Sequence, residues 1–442
     1  MYVFIYILVI VAVLIICTRR PSIAFSFMIC TFGFEQWLQS RDVFFIAHTS
    51  LVNVMSGLVV LYALVLKVIK DKNVISNYPI EAIFVILLYV YAGTSVLWSP
   101  VPDISAENLG QLMPYILLMA VLAPLLIQNK DDFYDAMIFM VIFGGAISIL
   151  LLFFTQWGNR TIVLAAVSIN SKTNPLAIAN LAGYVMLAAV LLNIKNEYKL
   201  WTIVRLSLVV ISLAIAVKTG SRGQFIVMLL VSLLMLPVSR PLNQIKCFIP
   251  LLITIGFTAF VAYWAMSEFI GEDTRWDTNK MGDDIGGRYE AASRLIEQWY
   301  SSPGNLIFGL GSSASYDPSI FGFYTHIVPL EIIGELGAIG FSMYLYILYM
   351  SYKNSRISLK KIDGDELKKG ILATVVAMVL FEFLLSFKQG SFLGSSIQFG
   401  LLIVLARFNK SLRTETIASS SGPHDKPEIK DDKKLTSGVQ LR

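Results

Sequence analysis

Three cysteines and three histidines are all that a chain of 442 residues offers to metals and redox chemistry. Cys17, Cys30 and Cys247 sit in or beside apolar segments with no CxxC pair. That excludes a disulfide framework and a structural zinc site and leaves three small buried hydrophobes. His48, His326 and His424 are too few for a site of several imidazole ligands. Charge is scarce as well: Asp, Glu, Lys and Arg make up 15% of the chain, against about 25% in a soluble domain. An ordinary soluble globular protein is thereby excluded. No phosphate-cradling nucleotide loop is present, and the net charge of +5 reports membrane topology, not an affinity for nucleic acid.

What is abundant is apolar residue, 56% of the chain, with mean hydropathy +0.68. It comes in blocks, most of them long enough to cross a hydrocarbon core of about 30 Å, which takes about 20 helical residues. The fold class is all-α: a polytopic helical membrane protein with about 12–14 transmembrane helices. Residues 1–408 form the transmembrane domain, with blocks running from 2–17 to 391–408. Thr18-Arg19-Arg20-Pro21 follows the first block where a cleavage site would stand, so that block reads as a retained span. With the Lys-rich loop 351–370 placed in the cytoplasm, strict alternation gives the inner segments more than twice the Lys and Arg of the outer ones. The N-terminus is then outside and the C-terminus inside. One large outer loop, 268–324, contains an amphipathic helix, and 409–442 reads as a disordered cytoplasmic tail.

Three outer-facing features carry chemical potential. The first is the turn Lys218-Thr219-Gly220-Ser221-Arg222-Gly223-Gln224, which holds Arg222 at the membrane surface; taken alone, it is most simply an anchoring arginine. The second begins at Gly286-Gly287-Arg288. Ala292, Leu295, Ile296 and Trp299 then follow helical spacing. Arg288, four residues before Ala292, falls at the N-terminus of that helix on its apolar, membrane-facing side. Free N–H groups and a guanidinium there suit a phosphate at headgroup depth. The third is His326 to Gly340. Glu331 and Glu335 share one helical face inside apolar sequence, where carboxylates must face protein, water or a partner. Gly334, Gly337 and Gly340 allow close packing, and the His326 imidazole suits proton transfer near neutral pH. Glu382 and Lys388 lie near one outer end as a candidate pair, and Arg205 is placed to snorkel inward.

In this order the three features resemble the bacterial O-antigen ligase and O-antigen polymerase superfamily. Ser221-Arg222-Gly223 matches its Ser-Arg-Gly turn, and Arg288, Pro303 and Gly309-Leu310-Gly311 match its periplasmic loop. His326, Leu330, Glu335, Gly337 and Gly340 match its His motif, with Ile327 standing where the family has Asn. The motif region spans about residues 205–345. The resemblance implies a GT-C-like, metal-independent membrane glycosyltransferase of the bacterial inner membrane. It implies an undecaprenyl-diphosphate-linked glycan as donor and a sugar hydroxyl, on a glycan or lipid-linked glycan, as acceptor at the periplasmic face. Arg222 and Arg288 would hold the diphosphate, His326 would take the hydroxyl proton or bind the diphosphate, and Glu335 would orient the site. No cofactor is implied. Membrane lipids and a polysaccharide chain-length regulator are the further partners it admits. The resemblance leans slightly to polymerase over ligase to lipid A-core. The competing class is a transporter such as a flippase for lipid-linked oligosaccharide, which holds its charges nearer the midplane.

Overall fold

The computed structural model describes residues 1–240 and 278–420, apart from short gaps at 72, 75–77, 159–160, 167–172, 195–198 and 363, and only scattered residues of 241–277. The expected span 247–267 therefore lies almost wholly outside the described residues, as does the tail beyond Ser420. Within them the protein is helical, with a lone bridge pair of Trp157 and Ile162.

The chain order is α1 (Tyr2–Arg19), α2 (Ile23–Gln39), short α3 (Val43–Ala47), α4 (Thr49–Lys70), α5 (Ile80–Ser95) and α6 (Pro102–Tyr115). Helix α6 continues through a widened stretch to Leu126, with Pro114 and Pro124 interrupting its regular bonding. Next come α7 (Lys130–Phe139), continued after a second widened turn by α8 (Gly145–Phe153), then α9 (Pro175–Leu191), α10 (Lys199–Lys218) and α11 (Arg222–Ser239). The loop helices are α12 (Thr278–Trp299) and α13 (Pro303–Phe308). The last three helices are α14 (Val328–Lys361), α15 (Glu366–Leu385) and α16 (Ser396–Ser420). Eight helical stretches among the described residues are long and apolar enough to cross a membrane, which makes this a multi-pass membrane protein. Apolar side chains such as Phe4, Ile69, Val90, Ile203 and Leu234 stand exposed on the helices' outer faces, where only lipid suits them.

Local sequence explains where helices start. Asn129 caps α7 by accepting from Asp131 N and Asp132 N, Asn174 does so for α9 ahead of Pro175, and Asp365 caps α15 through Lys368 N. Interior contacts then gather the helices, with α9 against α10 and α11, α11 against α15, and α14 against α5 and α16.

The bundle has two polar ends. At one, Lys67 pairs with Asp132 at 2.6 Å, Asn354 Nδ2 donates to Glu81 at 2.5 Å, and Arg407 Nε donates to Ile127 O at 2.7 Å. At the other, Ser99 Oγ donates to Ser312 O at 2.8 Å and Val328 N donates to Ser386 O at 2.9 Å. The segments joined at each end are those that strict alternation placed together.

Three expectations change. Arg205 is buried, not snorkelling: Nε donates to Ala189 O and a terminal nitrogen to Val190 O, at the carbonyl-rich C-terminus of α9. The tail boundary at 409 is too early, because α16 runs to Ser420, held past Phe408 by Asn409 on Ser355 and Arg413 on Asn354. The loop helix begins at Thr278, eight residues before Gly286, and the two glycines lie inside it with no neighbour among the described residues within 4 Å of a would-be Cβ.

Candidate functional site

The earlier start of α12 changes the setting of Arg288. Arg288 is not at a helix N-terminus, so the dipole and free N–H groups there do not serve it. Its face is not membrane-facing either. Ala291, Ala292 and Leu295 are buried, and Leu295 fits against Gly334, where any Cβ would strike its side chain. Arg288 stands four residues before Ala292 and seven before Leu295, so this packing turns it towards the start of α14, where His326 sits.

His326 occupies a strained backbone position, φ 62°, uncommon for a residue with a side chain. Its ring lies 4.2 Å from that of Tyr324 and 5.7 Å from that of Phe323, and the Tyr316 ring lies tilted 6.4 Å and 6.0 Å from those two. Burial, and then the Arg288 guanidinium, hold the imidazole below its ordinary value. Burial and the nearby Glu331 push the Tyr324 phenol up, with Arg288 opposing. Burial, then Glu331, push Tyr316 up to about 12. At neutral pH the site thus presents a neutral imidazole and two protonated phenols beside a permanent cation.

Glu335 is buried behind this cluster. Its carboxylate accepts from Ser313 N at 2.8 Å, Ser315 N at 3.2 Å and Ser315 Oγ at 2.8 Å. It fastens the 309–316 loop to α14 and is a positioning residue. Glu331, one turn earlier, accepts from Phe392 N at 2.8 Å. Both carboxylates face protein. Between them and the loop, α14 kinks at Gly337, φ 63° and ψ −165°, a conformation open essentially to glycine alone. There the carbonyls of Gly334 and Glu335 accept from Leu310 N at 3.0 Å and Gly311 N at 2.9 Å. The three glycines thus admit different neighbours: Gly334 the loop helix, Gly337 the backbone of Ile307 and Gly309, and Gly340 its own helix's Leu336.

Arg222 reaches the same end by another route. Thr219 and Ser221, hydrogen-bonded to each other at 2.9 Å, close the turn with Gly220 at φ 62°, and Arg222 opens α11, half-buried. Across it lies the α15–α16 connection. The Lys388 side chain covers Gly223 so closely that a Cβ there would come within 2.5 Å of its Nζ. Gln224 Nε2 donates to Gln389 Oε1 at 2.5 Å and to Asn180 Oδ1 at 3.3 Å, and Gln389 Nε2 donates to Asn180 Oδ1 at 3.3 Å. The same connection, through Ser386 and Phe392, holds the start of α14. It ties the Arg222 turn to the His326 turn.

Sequence reading named Lys388 but did not set it against the Arg222 turn, and it passed over Gln389, because neither belongs to a motif. The one available signal was polar residue in a short turn between two apolar blocks. Glu382, a turn and a half earlier, takes the hydroxyl of Tyr184. No family model matches the chain, and no curated protein matches it.

Proposed function

We propose that this protein is a membrane glycosyltransferase that polymerises or ligates a surface polysaccharide. The glycan leaves an undecaprenyl-diphosphate carrier for a sugar hydroxyl at the periplasmic face of the bacterial inner membrane, and polymerisation is slightly favoured over ligation to lipid A-core. The observation that carries the reading is the packing of α12 on α14, which sets the Arg288 guanidinium against a neutral His326 imidazole.

That juxtaposition suits a single displacement. The acceptor oxygen forms the new bond to the anomeric carbon, and the bond from that carbon to the carrier breaks. Its electron pair leaves on the diphosphate, which Arg288 and Arg222 stabilise as charge develops. His326 takes the hydroxyl proton at its free ring nitrogen. Glu335 keeps the 309–316 loop in place and does not touch the reacting atoms. One displacement inverts the anomeric centre.

The test is transfer of radiolabelled glycan from a lipid-linked donor by the purified protein in detergent. Arg288→Ala and Arg222→Ala should each lower the rate on the order of a hundredfold, the scale seen when a donor to a developing charge is removed. Undiminished transfer by both variants overturns the assignment. Movement of the donor across a vesicle membrane with no new glycosidic bond would instead identify a flippase.

A further inference from the structure

Asn180, Gln224 and Gln389 bring three primary amides from three different helix ends onto one another. Their bonding is incomplete in an informative way. Gln224 is wholly buried, and its Nε2 serves both neighbours, yet its Oε1 has no partner among the described residues. A buried carbonyl oxygen without a donor is costly; Gln36 Oε1, Gln398 Oε1 and Asn409 Oδ1 share that state, and Gln224 differs from them in lying two residues from Arg222 and against the residue that follows Lys388. The Asn180 amide nitrogen, by contrast, takes no part in the hydrogen bonds within the group, since Asn180 enters both through Oδ1. Asn180 and Gln389 are only half-buried. The cluster therefore sets the neutral amides of two half-buried residues over a buried acceptor.

Their place in the chain matters as much. Gln224 follows Arg222 by two residues and Gln389 directly follows Lys388, whose side chain lies over the Arg222–Gly223 turn. A group bound beside those cations has the amides within one step of chain. A sugar joined to a diphosphate has that relation to it. A sugar hydroxyl both donates and accepts, and an acetamido group offers one N–H and one C=O, so either pairs with an acceptor and a donor held together.

We infer that Asn180, Gln224 and Gln389 form the subsite for the diphosphate-linked sugar of the donor and read its hydroxyl or acetamido groups. Asn180 and Gln389 contribute from the accessible side, and the buried Gln224 holds both through its Nε2 and keeps its carbonyl oxygen in reserve for the sugar. This rests on the diphosphate reading of Arg222 given above and adds the sugar-recognising half. The absence of a charged group within the triad selects a neutral sugar there. Lys388 contributes to the anionic half.

The test uses short carriers that remain soluble. Bare farnesyl diphosphate and its glucose, galactose and N-acetylglucosamine conjugates are titrated against the purified full chain in lipid nanodiscs. At least one conjugate should bind about tenfold more tightly than the bare diphosphate. Asn180→Ala and Gln389→Ala should bring that conjugate to parity with the bare carrier while leaving bare binding within about twofold. Bare binding is thus the control for folding. The inference is overturned if the preference survives both substitutions, or if no conjugate is preferred by the native chain. It is also overturned if both variants lose the bare diphosphate together with the conjugate, because the triad would then be structural. Failure of the native chain to bind even the bare diphosphate is a different result, and it removes the diphosphate reading itself.

Discussion

His326 is the residue on which the proposed chemistry turns, and its surroundings set a pH dependence with a definite sign. A base must be neutral to accept a proton. Burial and the Arg288 guanidinium both disfavour the imidazolium, so the imidazole stays neutral to a lower pH than a free histidine would. The acid limb of kcat/KM should therefore have its midpoint below about 6.5, the ordinary imidazole value. Arg288→Gln removes the cation but not the burial, and it should move that limb to higher pH as well as lowering the plateau. Arg288→Lys keeps the charge and should leave the limb in place. A pH–rate profile that is the same for all three forms would show that His326 is not the base. Glu335 predicts the opposite pattern. It acts through the loop, so Glu335→Gln should lower the plateau without moving the limb. Gln keeps one acceptor oxygen where the carboxyl group has two, so either the Ser313 N bond or the Ser315 N bond must be lost, at about 1–3 kcal/mol for a buried donor left unsatisfied, and limited proteolysis should find residues 309–316 more easily cut.

At the scale of elements, the site depends on a kinked helix and on the helix laid across it. Leu295 is fully buried against Gly334. Leu295→Ala should cost about 2–5 kcal/mol of local stability. It should raise hydrogen exchange through α12 and lower transfer although it touches no reacting group. Gly337→Ala attacks the other partner. Its backbone conformation costs a residue with a side chain about 1–3 kcal/mol before any clash, and its Cβ would meet Ile307 O and Gly309 N. The thermal midpoint of the detergent-solubilised protein should fall, and with it the activity. Both elements were partly legible in the sequence. The spacing of Ala292, Leu295, Ile296 and Trp299 marked the apolar face correctly, but nothing in it said that the face meets α14 and not lipid. The start of α12 was misread because Gly286 and Gly287 resemble breakers. Helix propensity is a weak prior, and two exposed glycines cost too little to stop a helix. Glycine spacing after His326 signalled close packing, yet only the fold distinguishes a helix contact at Gly334 from a backbone kink at Gly337. The 386–392 connection was illegible for a different reason. Its residues matter through what lies opposite them, and Gln224, Asn180 and Gly223 come from elements remote in sequence.

The whole molecule raises the question of which polar end faces outward. Its two ends differ in kind. One carries Lys67 with Asp132, buried Arg407, and the Lys-rich stretch around Lys353 to Lys369; the other carries the His326 cluster, the 309–316 loop and the amide triad. A bias of Lys and Arg towards one end is what orients a multi-pass protein, with that end in the cytoplasm. Apolar periodicity and charge counting were enough for this division because each is a bulk property of long segments. The helical extension of α16 to Ser420 escaped them because single pairs such as Arg413 with Asn354 decide it. The orientation can be read directly. In a chain freed of its own three cysteines, Phe323→Cys stands on an exposed position 46% accessible beside His326, and Tyr352→Cys stands 61% accessible at the opposite end. A membrane-impermeant maleimide added to intact spheroplasts should label the first and spare the second, and inverted membrane vesicles should reverse the pattern. Labelling of Tyr352→Cys alone in spheroplasts would turn the bundle over. It would place the arginines and His326 in the cytoplasm, where a donor already carried across the membrane cannot meet them, and the transfer reaction would have to be abandoned whatever the local geometry of the site.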